Sequence, residues 1–162
     1  MLIRPAHPDD HDALLDIWVR SVRATHTFLT EADVQSLLPA VRDVALVKLQ
    51  LSVLTTDDHQ PVGFLGMSGN KIEALFLAPE FLRRGGGRLL VEHAQSRHPT
   101  LYVDVNEQNP DARRFYEALG FIVQGRSQLD AHQRPFPLLH LCRSTTSDRP
   151  PNSFSNPSTL SD

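Results

Sequence analysis

Ala74-Leu-Phe-Leu-Ala-Pro-Glu-Phe-Leu-Arg-Arg-Gly-Gly-Gly-Arg-Leu-Leu-Val-Glu-His-Ala94 is the stretch on which the fold turns. It divides into a short apolar strand, a loop with three consecutive glycines, and the first turns of a helix. Pro79 ends the strand, because proline has no N–H to give a ladder. Leu89, Leu90, Val91 and Ala94 then recur at helical spacing. A glycine-rich turn feeding a helix start aims several backbone N–H groups at one spot, and the helix dipole adds partial positive charge there. That is an anion site suited to a phosphate. The alternative is a flexible turn and helix start with no ligand. Two phosphate loops are excluded by spacing. No Gly-x-x-x-x-Gly-Lys-Ser/Thr pattern is present, and Gly85-x-Gly87 is followed at the third-glycine position by Leu90.

Working outward, the opening strand extends back to Lys71. Val62 to Met67 and Val44 to Thr55 alternate like strands, with turns at Asp57–Pro61 and Ser68–Asn70 between them. Three strands joined by tight turns are antiparallel neighbours. Nearer the N-terminus, Leu2 to Arg4 is a first strand. Asp9 or Asp10 caps a helix to about Thr25, with Leu14, Ile17, Trp18 and Val22 on its apolar stripe. Thr30 and Asp33 form a capping box for a second helix bearing Val34, Leu37, Leu38 and Val41, which Pro39 breaks or kinks.

Downstream, the glycine-loop helix runs from Gly87 to about Arg97. Leu101 to Val105 is a strand reached by this helical crossover, so it runs parallel to the strand before it. Asn109 is suited to an N-cap, Pro110 to the first helical position and Gly120 to a left-handed C-terminal position. Phe121–Leu129 and Pro137–Leu141 form a closing strand pair. From Ser144 to Asp162 the chain is rich in Ser, Thr and Pro, a composition expected of a disordered tail after a domain spanning residues 1–143.

The chain has 162 residues, enough for one domain with its own core. Its net charge of −3 argues against a nucleic-acid surface as its main business. Cys142 is the only cysteine, so neither a disulfide framework nor a cysteine zinc site is available within the chain. The histidines lack paired ligand spacing, and no metal site is expected. Charges near Met1 do not fit a signal peptide, and no stretch approaches the roughly 20 apolar residues of a membrane span. A cytoplasmic protein, monomeric or homodimeric and not bound to membrane, is the expectation.

Three features together resemble the GNAT superfamily of acetyl-CoA-dependent N-acyltransferases. They are the strand ending Leu77-Ala-Pro79, the glycine loop with its helix, and Asn109-x-x-Ala112-x-x-Phe115-Tyr116-x-x-x-Gly120-Phe121. The resemblance covers about residues 2–143. It implies an α/β (α+β) fold with about seven strands, largely antiparallel with a parallel central pair, flanked by about four helices. It also implies a bacterial N-acetyltransferase that takes acetyl from acetyl-CoA to a primary amine of a small molecule or protein.

The resemblance assigns ligand contacts residue by residue. Leu75, Phe76 and Leu77 would line the pantetheine arm, bound like an added strand. Leu82, Arg83, Arg84, Gly85, Gly86, Gly87 and Arg88 would surround the coenzyme A pyrophosphate. Leu82 stands where the family usually has Gln or Arg, and Arg83 where many members have Gly. Arg83 or Arg84 would supply the positive charge; the alternative is a solvated arginine pair. Asn109, Ala112, Phe115 and Tyr116 would flank the pantetheine, with Asn109 also available as a cap.

Tyr116 matches the family tyrosine proposed to protonate the leaving thiolate, the alternative being a packing residue. Glu73 and His26 are the two candidates for the base or acceptor site; each has a structural alternative, a solvated charge and an ordinary loop histidine. His93, His98 and His140 are taken as surface or packing residues, and Cys142 as inert core. The acceptor amine is unspecified. A coenzyme A-binding sensor with weak or no catalysis is the rival from another class. An acetylating toxin acting on aminoacyl-tRNA is a third possibility, disfavoured by the acidic charge.

Overall fold

The computed structural model describes residues 1–145. The expected disordered tail lies, from Thr146 onward, outside the described residues; Ser144 belongs to the last strand. Seven strands form one sheet: β1 (Leu2–Pro5), β2 (Gln50–Thr55), β3 (Pro61–Ser68), β4 (Lys71–Leu77), β5 (Thr100–Asn106), β6 (Ile122–Ser127) and β7 (Leu138–Ser144). Their spatial order is β1-β2-β3-β4-β5-β7-β6. All neighbours are antiparallel except β4 and β5. The helices are α1 (His11–Thr25), α2 (Glu31–Ala40), a single turn α3 (Leu46–Lys48), α4 (Gly86–Gln95) and α5 (Pro110–Ala118).

Two cores lie on opposite faces of the sheet. On one, Leu90, Val91 and Ala94 of α4 and Tyr116 of α5 pack with Leu54, Leu65, Leu77 and Leu101. On the other, Leu14, Ile17, Trp18 and Val22 of α1 and Val34 of α2 pack on Val53, Phe64 and Ala74. Trp18 is core, as its stripe requires. Residues of β5, β6 and β7 are absent from this second core, so the α1–α2 layer stops near β4.

Several local expectations need correction. Val44–Lys48 is helical, not strand: the chain passes from α2 through a wide π-type turn, Val41–Ala45, into α3. Apolar residues at 44, 46, 47 and 49 suit either period, and a helix already under way continues at less cost than a new element starts. Pro39 therefore does not break the segment; helix continues past it to Ala40, and the widened turn follows at once. The first helix is entered differently too. Pro8–Asp10 is a separate 3₁₀ turn, and Asp10 makes no cap bond to α1. Its carboxylate instead accepts from the His7 N–H at 2.7 Å and pairs both oxygens with Arg4 at 2.8 and 2.9 Å. Helix α4 starts one residue earlier than expected and ends at Gln95, while β6 stops at Ser127 and β7 runs on past Leu141. The Thr30–Asp33 capping box is present in both directions, at 2.9 and 3.1 Å.

Candidate functional site

A crevice opens at the centre of the sheet. β4 and β5 pair in register only at Lys71–Tyr102 and Ile72–Val103, although they run on to Leu77 and Asn106. The local cause is a bulge at Glu73. On the β3 side Gly66 faces Ala74 and Met67 faces Ile72, so Glu73 has no opposite residue. The extra residue shifts the pleat: Ile72 packs in the α4–α5 core, yet Ala74 and Phe76 pack under α1. A bulged strand bends and twists more strongly, which carries β4 away from β5. The β5-facing backbone of Ala74–Leu77 is thereby left as a free strand edge inside the protein.

Both crossover helices begin at the C-terminal ends of these parallel strands, the usual place for a ligand in a parallel α/β unit. At the start of α4, Gly85 adopts φ +87° and Arg83 φ +64°. Alternating left-handed residues of this kind turn successive N–H groups inward, making a concave anion cradle at the helix N-terminus. Gly86 is buried, and a Cβ there would lie 2.6 Å from Leu54 Cδ2 and 3.0 Å from Leu77 Cδ1. A Cβ on Gly87 would lie 3.0 Å from the Phe115 ring. The two glycines thus bring the helix start against the sheet and against α5. Leu82 and Arg88 are exposed beside the cradle, and the exposed Arg84 stacks over the Phe81 ring at 5.3 Å.

At the start of α5, the buried Asn109 accepts from the Ala112 N–H at 3.2 Å and caps the helix. Ala112 and Phe115 pack against the α4-side core. Tyr116 is 6% exposed and stands edge-on to Phe115 and Phe121, with ring centroids 5.0 and 5.2 Å away. Its hydroxyl has no hydrogen-bond partner among the described residues. Burial pushes the phenol above its ordinary range, so it is protonated at any physiological pH.

On the opposite face, under α1 and α2, the crevice continues as a cleft of about 520 Å³. Glu73, His26 and Phe76 line it together, with Trp18 and Val22 of α1 and Phe136 of the β6–β7 loop. Tyr116 does not line this cleft; it lies on the other side of the sheet. The β4–β5 opening therefore separates the candidate acid from the candidate bases. His26 bonds Thr25 Oγ1 at 2.9 Å, and burial lowers its pKa to about 4. It stays neutral at pH 7 and is a weak base.

Nothing in the sequence assigns residues 104 and 127 a role, and His140 reads there as a surface or packing residue. Asp104 on β5 lines the cleft across from Glu73. Its Oδ1 lies 2.6 Å from His140 Nδ1, its Oδ2 2.9 Å from Lys71 Nζ, and His140 Nε2 lies 2.7 Å from Ser127 Oγ. His140 is thus no ordinary packing residue. The one available signal was a histidine inside the otherwise apolar run Leu138-Leu-His-Leu-Cys142. Cys142 is buried within β7, and burial raises its thiol pKa, as an inert core cysteine requires. No group of three or more metal-ligating side chains occurs among the described residues.

Known proteins share this architecture. Residues 31–138 match the acetyltransferase (GNAT) domain model. The chain is 43% identical over 139 residues to the peptidyl-lysine N-acetyltransferase YjaB of Salmonella typhimurium, covering 86% of this chain and 95% of that protein. The solution structure of apo YjaB from Escherichia coli superposes with a TM-score of 0.81 at 43% identity, covering 87% of this chain and 95% of that one. The PaiA N-acetyltransferase of Thermoplasma acidophilum, solved in complex with coenzyme A, has the same fold at 19% identity and a TM-score of 0.73, covering 88% of this chain and 98% of that one. With a bulged and splayed β4, a glycine cradle opening α4 and an Asn-to-Phe helix on β5, the chain belongs to the GNAT acetyltransferases.

Proposed function

We propose that this acetyltransferase moves the acetyl group of acetyl-CoA to the ε-amine of a lysine in a peptide or protein. The observation that carries the reading is the β4–β5 opening, which joins an anion cradle on one face to a largely apolar cleft bearing Glu73 on the other. Coenzyme A fits the first face. Its pyrophosphate would accept from the N–H groups of Gly85, Gly86 and Gly87, with the exposed Arg83, Arg84 and Arg88 adding positive charge. The pantetheine arm would pair with the free edge at Leu75–Leu77 as an added strand. Its acetyl end would then enter the opening beside Phe76.

A lysine fits the second face. Four methylenes suit walls made of Trp18, Val22, Leu29 and Phe136, and the ammonium suits the Glu73 carboxylate, Asp104 being already paired with Lys71 at 2.9 Å. The name of the Salmonella relative, a peptidyl-lysine acetyltransferase, supports the same acceptor.

The chemistry is direct attack. A neutral amine adds to the thioester carbon, and a backbone N–H near Leu75 polarises the carbonyl oxygen as charge develops. The C–S bond then breaks, and the Tyr116 phenol gives its proton to the departing sulfur. Burial makes that phenol a reluctant acid, so the proton moves as the thiolate forms rather than ahead of it.

Thiol release measured with acetyl-CoA and a panel of lysine peptides and small amines tests this. Turnover on lysine peptides is expected. Acetyl-CoA binding with no turnover on any acceptor would instead establish a coenzyme A-binding sensor. A cytoplasmic site of action accords with an acetyl-CoA substrate, and no helix among the described residues is long and apolar enough to cross a membrane.

A further inference from the structure

The cleft under α1 and α2 is larger than a lysine side chain requires. Four methylenes and an ammonium are few atoms for a cavity of about 520 Å³, a size at which pockets hold much larger ligands. The lysine reading uses only Trp18, Val22, Leu29 and Phe136 of its walls. One wall remains. It is built by α2, the wide turn after it and α3, from which Leu37, Ala40, Val41, Val44, Ala45 and Lys48 line the cleft. We propose that this wall is a subsite for a large apolar side chain next to the acceptor lysine, so that the enzyme selects lysines with a leucine-like neighbour in the peptide. This rests on the lysine reading and deepens it.

The sequence makes the wall. Its positions are spaced alternately by three and by one, the pattern of a single helix face. The wide turn at Val41–Ala45 carries that face on from α2 into α3 rather than ending it. No charged residue falls on it before Lys48. The two charges of the turn are set aside on each other: Arg42 Nε and Nη2 donate to the Asp43 carboxylate at 2.9 and 3.0 Å. Val44 is 48% exposed although it borders a cavity. Isolated exposed apolar residues are ordinary, but this one stands in a concave surface beside Leu37 and Val41, where a bound side chain can cover it.

Position ties the wall to the acceptor. Leu49, which follows α3, packs on the Gly66–Ala74 pair: a Cβ on Gly66 would lie 2.8 Å from Leu49 Cδ1 and 3.3 Å from Ala74 Cβ. Ala74 begins the free edge and adjoins Glu73, the partner of the ammonium in the lysine reading. The wall is thus anchored beside the place where the lysine is held. Adjacent residues of a peptide have Cα atoms only about 3.8 Å apart, so the neighbour of a docked lysine has to lie along one side of the cleft. On this side it meets methyl groups.

The rest of the lining favours a peptide over a free apolar amine. Asn106 on β5 lines the cleft, and its side-chain amide has no partner among the described residues, leaving a donor and an acceptor for a peptide backbone. Other polar groups are engaged. Lys71 pairs with Asp104 at 2.9 Å, and Asp130 Oδ1 accepts from the N–H groups of His132 and Arg134 at 2.9 and 2.8 Å. A charged neighbour seated between Leu37 and Ala45 would lose water without gaining an ionic partner there.

The test measures kcat/KM for acetyl transfer to capped lysine peptides that differ at one position, with Leu, Gly, Asp or Arg on either side of the lysine and Gly elsewhere. Acetyl-CoA affinity and melting temperature are measured on each protein. Leucine on one side is expected to exceed glycine by ~10-fold, the lower part of the range for burying that side chain, with aspartate and arginine below glycine. Val44→Asp should bring leucine down to the glycine level. Val44→Leu, which keeps the wall apolar, should retain the preference. Equal rates for leucine and glycine on both sides, a preference for a charged neighbour, or a leucine preference undiminished in Val44→Asp overturns this proposal and leaves the lysine reading intact. A wild-type enzyme that acetylates small amines but no lysine peptide overturns the lysine reading and this proposal together.

Discussion

Replacing Tyr116 with Phe separates catalysis from packing. The ring makes the packing: it contacts Phe115 and Phe121 edge-on at 5.0 and 5.2 Å, and phenylalanine keeps both contacts. The hydroxyl has no partner among the described residues, so its loss removes no hydrogen bond. With both ring contacts kept and no hydrogen bond within the described residues lost, stability should change by no more than about 1 kcal/mol. If Tyr116 protonates the thiolate, the same change should cut kcat by about 100-fold, or ~2.7 kcal/mol of barrier. Acetyl-CoA affinity should be nearly unchanged, because phenylalanine keeps the ring that would flank the pantetheine, and the other proposed contacts on α4, β4 and the start of α5 are untouched. The assay is thiol release in single-turnover mode with a lysine peptide, beside calorimetric binding and thermal melting. Equal turnover in both proteins, with chemistry shown to limit the rate, would refute the acid role. A large fall in melting temperature would show instead that the hydroxyl is structural.

Gly86→Ala should be destabilising despite alanine's better helix propensity. Its Cβ would meet Leu54 Cδ2 at 2.6 Å, and overpacking costs about 1–3 kcal/mol against a propensity gain of about 0.5–1. The net of about 1–2 kcal/mol lowers the melting temperature by about 2–8 °C and should weaken acetyl-CoA binding by displacing the start of α4. Arg83→Gly should go the other way. A left-handed arginine costs about 1–2 kcal/mol, and glycine's extra entropy returns about 0.5–1, so denaturant unfolding should show a gain of about 0.5–1 kcal/mol. His26 makes stability pH-dependent. Burial lowers its folded pKa from 6.5 to about 4, so the unfolded chain binds more protons between those values. Stability contributed by neutral His26 is therefore full above pH 6.5 and lost as pH falls towards 4, by on the order of 2 kcal/mol for a half-buried group. His26→Gln should flatten that part of a urea-midpoint-against-pH curve, and an unchanged slope would refute it.

Punctuated elements were legible in the sequence. Pro79 and the glycines mark the end of β4 and the start of α4. Asn109, Pro110 and Gly120 bracket α5, and Gly120 has the left-handed φ of +99° that its position requires. The crevice was legible only through the family resemblance. A bulge such as that at Glu73 changes pairing without needing a distinctive residue, and it appears only once Gly66 and Ala74 are seen opposite each other. The Asp104–His140–Ser127 chain was hidden for a related reason. β7 inserts between β5 and β6, so these side chains meet across strands that are not sequential, and register alone decides it. Val44–Lys48 failed differently, because its apolar spacing fits two periods and the preceding helix decided between them.

The most direct measurement is a structure of the protein with acetyl-CoA bound, paired with an amide chemical-shift titration in solution. The pantetheine amides should bond the backbone of Leu75 and Leu77, the pyrophosphate should lie against the N–H groups of Gly85–Gly87, and those amides should shift first and furthest. Acetyl-CoA bound elsewhere, with the β4 edge and the glycine cradle unperturbed, would contradict the account at its root.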